Sequence, residues 1–256
     1  MKRWTIRAFV VVLAVFAFPF KSPAPLTYRP AEGWTYENVA VKAADPIRVA
    51  CVGDSITYGY GIADRTHDAY PVVLAKWLGT NYVVSNFGVN AKTLLKQADQ
   101  PYVKTLAYTN ALNFKADILV INLGANDTKH PVPGDPDPTT ANAPNNWQYS
   151  SNYVTDYEEL IAAFRQTSPA VKVYVCLPTP DYPGHWGISD KTIREEMIPM
   201  IRKVAKDENA TIIDLYSALS GKPELFPDKV HPNADGARLM AAEVCRVLTG
   251  RPPPGN

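Results

Sequence analysis

Near the C-terminus, the stretch Phe226-Pro227-Asp228-Lys229-Val230-His231-Pro232-Asn233 sets a carboxylate three residues before a histidine. One turn of chain lets Asp228 reach the imidazole of His231, where a carboxylate fixes which ring nitrogen carries the proton and stabilises the imidazolium once it forms. An imidazole held in that way is the base that an acyl-accepting serine needs. A suitable serine lies far upstream: Ser55, in Gly53-Asp54-Ser55-Ile56-Thr57, follows the apolar run 47–52 directly. At such a strand end its hydroxyl can stand clear of a sheet while nearby amides turn toward the same point. Two further donors sit at comparable places, the backbone N–H of Gly88 in Asn86-Phe87-Gly88-Val89-Asn90 and the side chain of Asn126 in Gly124-Ala125-Asn126-Asp127. Taken singly, each motif also has a structural explanation. Gly-Asp-Ser and Asn-Asp form turns that bond their own backbone, Gly88 suits a turn, and His231 precedes a helix that Asn233 can cap. The remaining histidines, His67, His130 and His185, fall in loops and are read as lacking an acid partner. The Gly-x-Ser-x-Gly elbow of α/β-hydrolases is absent, because Thr57 occupies the second glycine position.

These residues need a scaffold that gathers distant segments, and the pattern from position 47 onward supplies one. Short apolar, β-branched runs at 47–52, 82–87, 117–123, 171–177 and 211–215 alternate with amphipathic stretches at 70–78, 101–114, 151–167, 192–207 and 233–248. Continuous apolar strands separated by crossover helices read as a parallel sheet covered on both faces, a three-layer α/β/α sandwich. Two connections are long for such a fold. Residues 130–150 are rich in Pro, Asn, Asp and Thr, and 178–189 holds three prolines and two glycines. Both follow strands, at the carboxyl edge where open α/β sheets bind ligands. They carry Trp147, Tyr149, Tyr182 and Trp186, aromatic rings among polar residues that can stack on sugar faces or cover loop backbone.

The 26 basic and 25 acidic side chains nearly cancel and form no long run, which removes the electrostatic footprint of a nucleic-acid or anionic-membrane partner. At the N-terminus, Lys2, Arg3 and Arg7 precede an apolar stretch at 8–20. That is the layout of an export signal, and as a helix the stretch would be about 20 Å long, too short to cross a bilayer readily; an uncleaved anchor is the alternative. The organisation expected is therefore 1–24 as signal or anchor, 25–46 as an extended lead-in, 47–249 as one catalytic domain and 250–256 as a tail, with the product periplasmic or extracellular. Cys51, Cys176 and Cys245 are odd in number and lie in apolar runs, so they are read as buried free thiols, and no Cys/His cluster suggests a metal.

Taken together, GDSIT, the glycine of NFGVN, GAND and DKVHP resemble, in order, the blocks of the SGNH or GDSL-like serine hydrolases over about residues 47–249. The resemblance implies a flavodoxin-like fold with a five-stranded parallel sheet. It implies Ser55 as nucleophile, Asp228 and His231 completing a triad, and an oxyanion hole made of the Ser55 amide, the Gly88 amide and the Asn126 side chain. It implies ester hydrolysis through an acyl-serine with no metal or organic cofactor. The overall pattern resembles carbohydrate acetylesterases, so the expected substrate is a small-molecule or glycan ester carrying O-acetyl groups. A lipid or thioester hydrolase, an acyltransferase and a noncatalytic glycan-binding module are the alternatives.

Overall fold

A computed structural model describes residues 45–182 and 186–254. The expected export segment, the lead-in up to residue 44, His185 and the last two residues of the expected tail lie outside the described residues. Five strands, β1 (Ile47–Gly53), β2 (Tyr82–Gly88), β3 (Ile118–Asn122), β4 (Lys172–Leu177) and β5 (Thr211–Asp214), form one parallel sheet in the order β2-β1-β3-β4-β5. This is the flavodoxin-type order, with its switch point between β1 and β3. Side chains alternate across each strand, so Ala50, Val52, Leu119, Ile121, Val173 and Val175 join one core. Val49, Cys51, Ile118, Val120, Cys176 and Ile213 join the other. The helices Leu106–Asn113, Tyr153–Thr167 and Ile198–Asp207 cover the first face, and Tyr70–Leu78, Leu215–Leu219 and Ala234–Thr249 the second.

Helix faces follow the same logic. In Ala234–Thr249, Ala237, Met240, Ala241, Val244 and Cys245 are buried, a stripe at helical spacing. Asn233 caps this helix by accepting from the Gly236 amide at 3.0 Å, and Gly250, at φ 70°, ends it. All three cysteines are free and buried, as their apolar settings indicate.

Helix boundaries differ from the sequence reading where a side chain interrupts. The run 101–114 breaks because the Thr105 hydroxyl accepts from the Tyr108 amide at 3.1 Å, separating a single turn at Tyr102–Lys104 from the helix Leu106–Asn113. The run 192–207 contains a widened π-type turn, Ile193–Met197, before Pro199, whose ring cannot fit against an ordinary preceding turn. The 130–150 connection contains a short helix, Pro138–Ala141, and a 3₁₀ stretch, Asn146–Asn152. It is tied back by Val132 N to Thr140 O at 3.1 Å and Asn146 N to Lys129 O at 2.9 Å.

Gly53 and Gly88 face each other in the β1–β2 register, just where the one-turn helix Ser55–Tyr58 crosses the sheet edge. A Cβ on Gly88 would lie 2.7 Å from the Thr57 carbonyl carbon and closer still to the Tyr58 amide nitrogen. These are backbone atoms, which cannot swing away. Gly88→Ala is therefore expected to cost about 1–3 kcal/mol of stability, as overpacking does. Chemical denaturation checks this, and an unchanged midpoint would refute the packing role.

Candidate active site

Ser55 opens the helix Ser55–Tyr58 rather than a bare loop. Asp54 caps that helix by accepting from the Ile56 amide at 2.9 Å, and Gly59, at φ 88°, closes it by donating to Ser55 O at 3.0 Å. The Tyr60 amide reaches the same carbonyl at 2.9 Å. The Ser55 backbone is thus held from both sides, with its amide at the open N-terminal end of the turn.

His231 is held with equal economy. Asp228 Oδ1 accepts from the backbone amides of Val230 at 3.1 Å and His231 at 2.7 Å, while Oδ2 meets His231 Nδ1 at 2.7 Å. The tight bend between them uses Lys229 at φ 75°. His231 Nε2 then lies 2.8 Å from Ser55 Oγ. With the carboxylate on Nδ1, the ring proton belongs there, and Nε2 is free to accept from the hydroxyl. Burial lowers the His231 pKa, and Asp228 only partly opposes the effect, while the Lys129 charge adds to it. Burial would raise Asp228, but its hydrogen bonds from His231 outweigh that and hold it below the ordinary carboxylate value.

Together these groups wall a cavity of 180 Å³ formed by Ser55, Tyr60, Asn90, Ala91, Asn126, Lys129, Trp186, Ile188 and His231. A larger hollow of 690 Å³, bordered by Asp45, Arg48, Asp117 and Lys172, lies at the amino ends of the strands, away from these residues. Asn126 Nδ2 lies 3.2 Å from Lys92 O and 3.4 Å from Asp54 Oδ2. The second contact is at the long limit for a hydrogen bond, leaving that proton available to a better acceptor.

The structure brings Ser55, Asp228, His231, Asn126 and Trp186 to one place. Gly88 is not among them. Its amide donates to Asn86 Oδ1 at 2.9 Å, and its space is filled by the helix Ser55–Tyr58. The pocket wall from that segment is Asn90 and Ala91, the latter at φ 63° with no acceptor for its amide among the described residues. Nothing in the sequence signals that conformation, which alanine seldom adopts. Three of the four aromatics also fall elsewhere. Tyr182 donates to Leu219 O and accepts from the Lys222 amide, each at 2.9 Å, with its ring on Phe226. Trp147 donates to Glu196 at 2.8 Å and packs on Tyr153, and Tyr149 packs against the core. Trp186 stays, its ring 5.2 Å from that of His231, and Tyr60, missed in the sequence, packs on the same imidazole at 4.6 Å with the rings tilted. Tyr60 had one signal, its place between Gly59 and Gly61, both at positive φ. His67 does have an acid partner, Asp64 Oδ2 at 2.7 Å, but both side chains are exposed and remote from Ser55's pocket.

A sequence profile of the GDSL-like Lipase/Acylhydrolase family matches residues 51–239. The chain belongs to this family. This family member is 38% identical over 230 residues to a protein of Xylanibacter ruminicola described as an acetylxylan esterase, an alignment covering 83% of this chain and 45% of that one. The chain thus spans about half the length of that relative. Among solved structures, a carbohydrate acetylesterase from Sinorhizobium meliloti superposes with TM-score 0.61 at 18% identity, covering 80% of this chain and 99% of that one. The aryl esterase of M. smegmatis gives TM-score 0.58 at 19% identity, covering 80% and 99%. At these identities the likeness is one of fold.

The geometry of the GDSL-family pocket predicts that His231 titrates below its ordinary value of 6.5, since burial disfavours its charged form. Asp228→Asn, which removes the charge opposing that effect, is expected to lower the value further. Imidazole shifts followed by NMR across pH 4 to 8 check both, and a wild-type midpoint above 6.5 would refute the assignment.

Proposed function

We propose that the protein is a serine esterase that removes small acyl groups, O-acetyl above all, from a carbohydrate through an acyl-serine intermediate. The observation that carries this reading is the unbroken line from Ser55 Oγ through the His231 ring to Asp228, at 2.8 and 2.7 Å. It meets the geometric requirement for a general base, a nucleophile within hydrogen-bond reach. His231 Nε2 takes the Ser55 proton as Oγ attacks the ester carbonyl. The imidazolium is stabilised by Asp228 and then gives its proton to the departing alcohol. The same nitrogen then takes a proton from water as it attacks the acyl carbonyl, and passes it to Ser55 Oγ as the acyl–oxygen bond breaks and the carboxylic acid leaves. Charge on the tetrahedral oxygen is met by Asn126 Nδ2 and by the amides of Ser55 and Ala91, the last replacing Gly88.

Support for a small acyl group comes from the 180 Å³ pocket, below the roughly 300–1,000 Å³ of sites for drug-sized ligands. Support for a carbohydrate comes from the relative described as an acetylxylan esterase and from Trp186 and Tyr60 flanking the reacting groups, rings suited to a sugar face. Acetylated xylan is accordingly the first polymer to try.

Hydrolysis of p-nitrophenyl acetate is expected to exceed that of the octanoate, and Ser55→Ala to abolish both. Turnover that survives in the variant would defeat the reading, whereas an octanoate preference would redirect it to lipid esters. Asn126→Ala should lower kcat by about 10²–10³ if that side chain meets the oxyanion. Stopped-flow measurement of acylation decides the matter, and an unaltered rate removes Asn126 from the mechanism.

A further inference from the structure

Ile188 is a wall common to two cavities. On one side lies the Ser55 pocket; on the other lies a space of 460 Å³ bordered by His130, Asp181, Ser189, Asp190, Lys191 and Arg194 among others. The chain supplying this wall is pinned, with His130 N donating to Gly187 O at 3.0 Å and Ser189 N to Thr128 Oγ1 at 3.1 Å. The two cavities thus adjoin across one pinned stretch of chain.

Asp181 gives it chemical character. Only 5% of this residue is exposed, and its Oδ1 is enclosed without a hydrogen-bond partner among the described residues. Buried carboxyl oxygens are almost always partnered, so an enclosed, unpartnered oxygen on a residue that lines the cavity points to a carboxyl left for a partner from outside the chain. A half-turn about Cβ–Cγ exchanges its two oxygens. Its carboxylate neighbour is already engaged. Asp190 is a second acceptor, engaged by the Tyr216 hydroxyl at 3.0 and 3.2 Å, by the Asp181 amide at 3.3 Å and by Arg194 Nε at 3.8 Å. A cation is disfavoured as occupant, because no group of three or more metal-ligating side chains occurs among the described residues. Burial, reinforced by the charges of Asp190 and Asp228, pushes Asp181 up to about 8. Near neutral pH its carboxyl is mostly protonated, able both to donate and to accept, as a hydroxyl-bearing ligand requires.

Resting on the acetyl-glycan reading of the Ser55 pocket, we propose that this cavity is a subsite for the sugar ring adjoining the acetylated one, with Asp181 hydrogen-bonded to its hydroxyls. The enzyme would then act on oligomeric rather than monomeric acetylated sugars, the chain running across Ile188.

The test begins with p-nitrophenyl acetate, which needs no second ring; if the wild type does not turn it over, the esterase reading fails and the subsite with it. Given turnover, kcat/KM is compared on acetylated xylose and acetylated xylobiose. The expected ratio, disaccharide over monosaccharide, is about five- to tenfold, the worth of one well-made hydrogen bond. Asp181→Ala should bring that ratio close to one. Asp181→Asn, which also donates and accepts, should keep about half of it. A wild-type ratio near one, or one that Asp181→Ala leaves unchanged, overturns the subsite while the esterase reading stands. Should Asp181→Ala fail to fold, titration of unacetylated xylobiose against xylose on the Ser55→Ala variant decides, with equal affinities counting against the proposal.

Discussion

Asp228 grips His231 twice, by backbone and by ring, and the rest of the site depends on that double hold. One carboxylate oxygen organises the turn by accepting two amides, and the other orients the imidazole. Because both functions reside in one side chain, the turn that carries the ring also positions the carboxylate that orients it. That turn is tied to the loop after β4 through Tyr182 N and Lys229 O at 2.9 Å, and its two flanks, the turn Pro223–Leu225 and the cap of the following helix, are joined by Asn233 N donating to Leu225 O at 2.7 Å. The His231 segment is thereby fixed against two elements of the sandwich. Its 2.8 Å approach to Ser55, 176 residues earlier in the chain, becomes a property of the fold.

The parallel sheet turns that local device into a site. Strand ends at the switch point between β1 and β3 place Ser55 and Asn126 on the same edge, and the β2–β1 pairing brings the segment after Gly88 alongside. The Asn126 loop is braced from behind: Asp127 accepts the amides of Leu94 and Leu95 at 3.0 and 2.7 Å, and Asn146 Nδ2 donates to Asn126 O at 3.0 Å. The long 130–150 connection thus supports the pocket through Asn146, although its aromatic residues lie elsewhere.

This division explains what the sequence disclosed. The strands were legible because burial on both faces demands unbroken apolar runs, and β3 and residues 49–52 of β1 are such runs. Asp228, His231 and Ser55 stood out because acyl transfer would need such residue types at strand and turn ends, and the structure brings the three within hydrogen-bond reach of one another. Ala91 was not, since a backbone amide carries no residue signature and its φ of 63° is imposed by the loop. Gly88 misled because a glycine beside a proposed oxyanion site and a glycine making room for backbone look alike in sequence. Trp147, Tyr149 and Tyr182 misled in a similar way, for an aromatic ring on a loop near a sheet edge serves packing as readily as recognition.

Charge sets a final condition on the proposed chemistry. Asp54 and Asp127 are both buried behind Asn126, and two ionised carboxylates there would oppose the negative charge that develops on an oxyanion. Burial raises each to about 7, so much of that charge is removed near neutral pH. Lys129, on the pocket wall, faces the fields of Asp99, Asp54 and Asp127 and offsets what remains. The same ammonium disfavours protonation of His231, helping to keep the imidazole a base. In the proposed mechanism one lysine would bear on both halves of the reaction, on the oxyanion side by balancing buried acids and on the base side by its repulsion of a second positive charge.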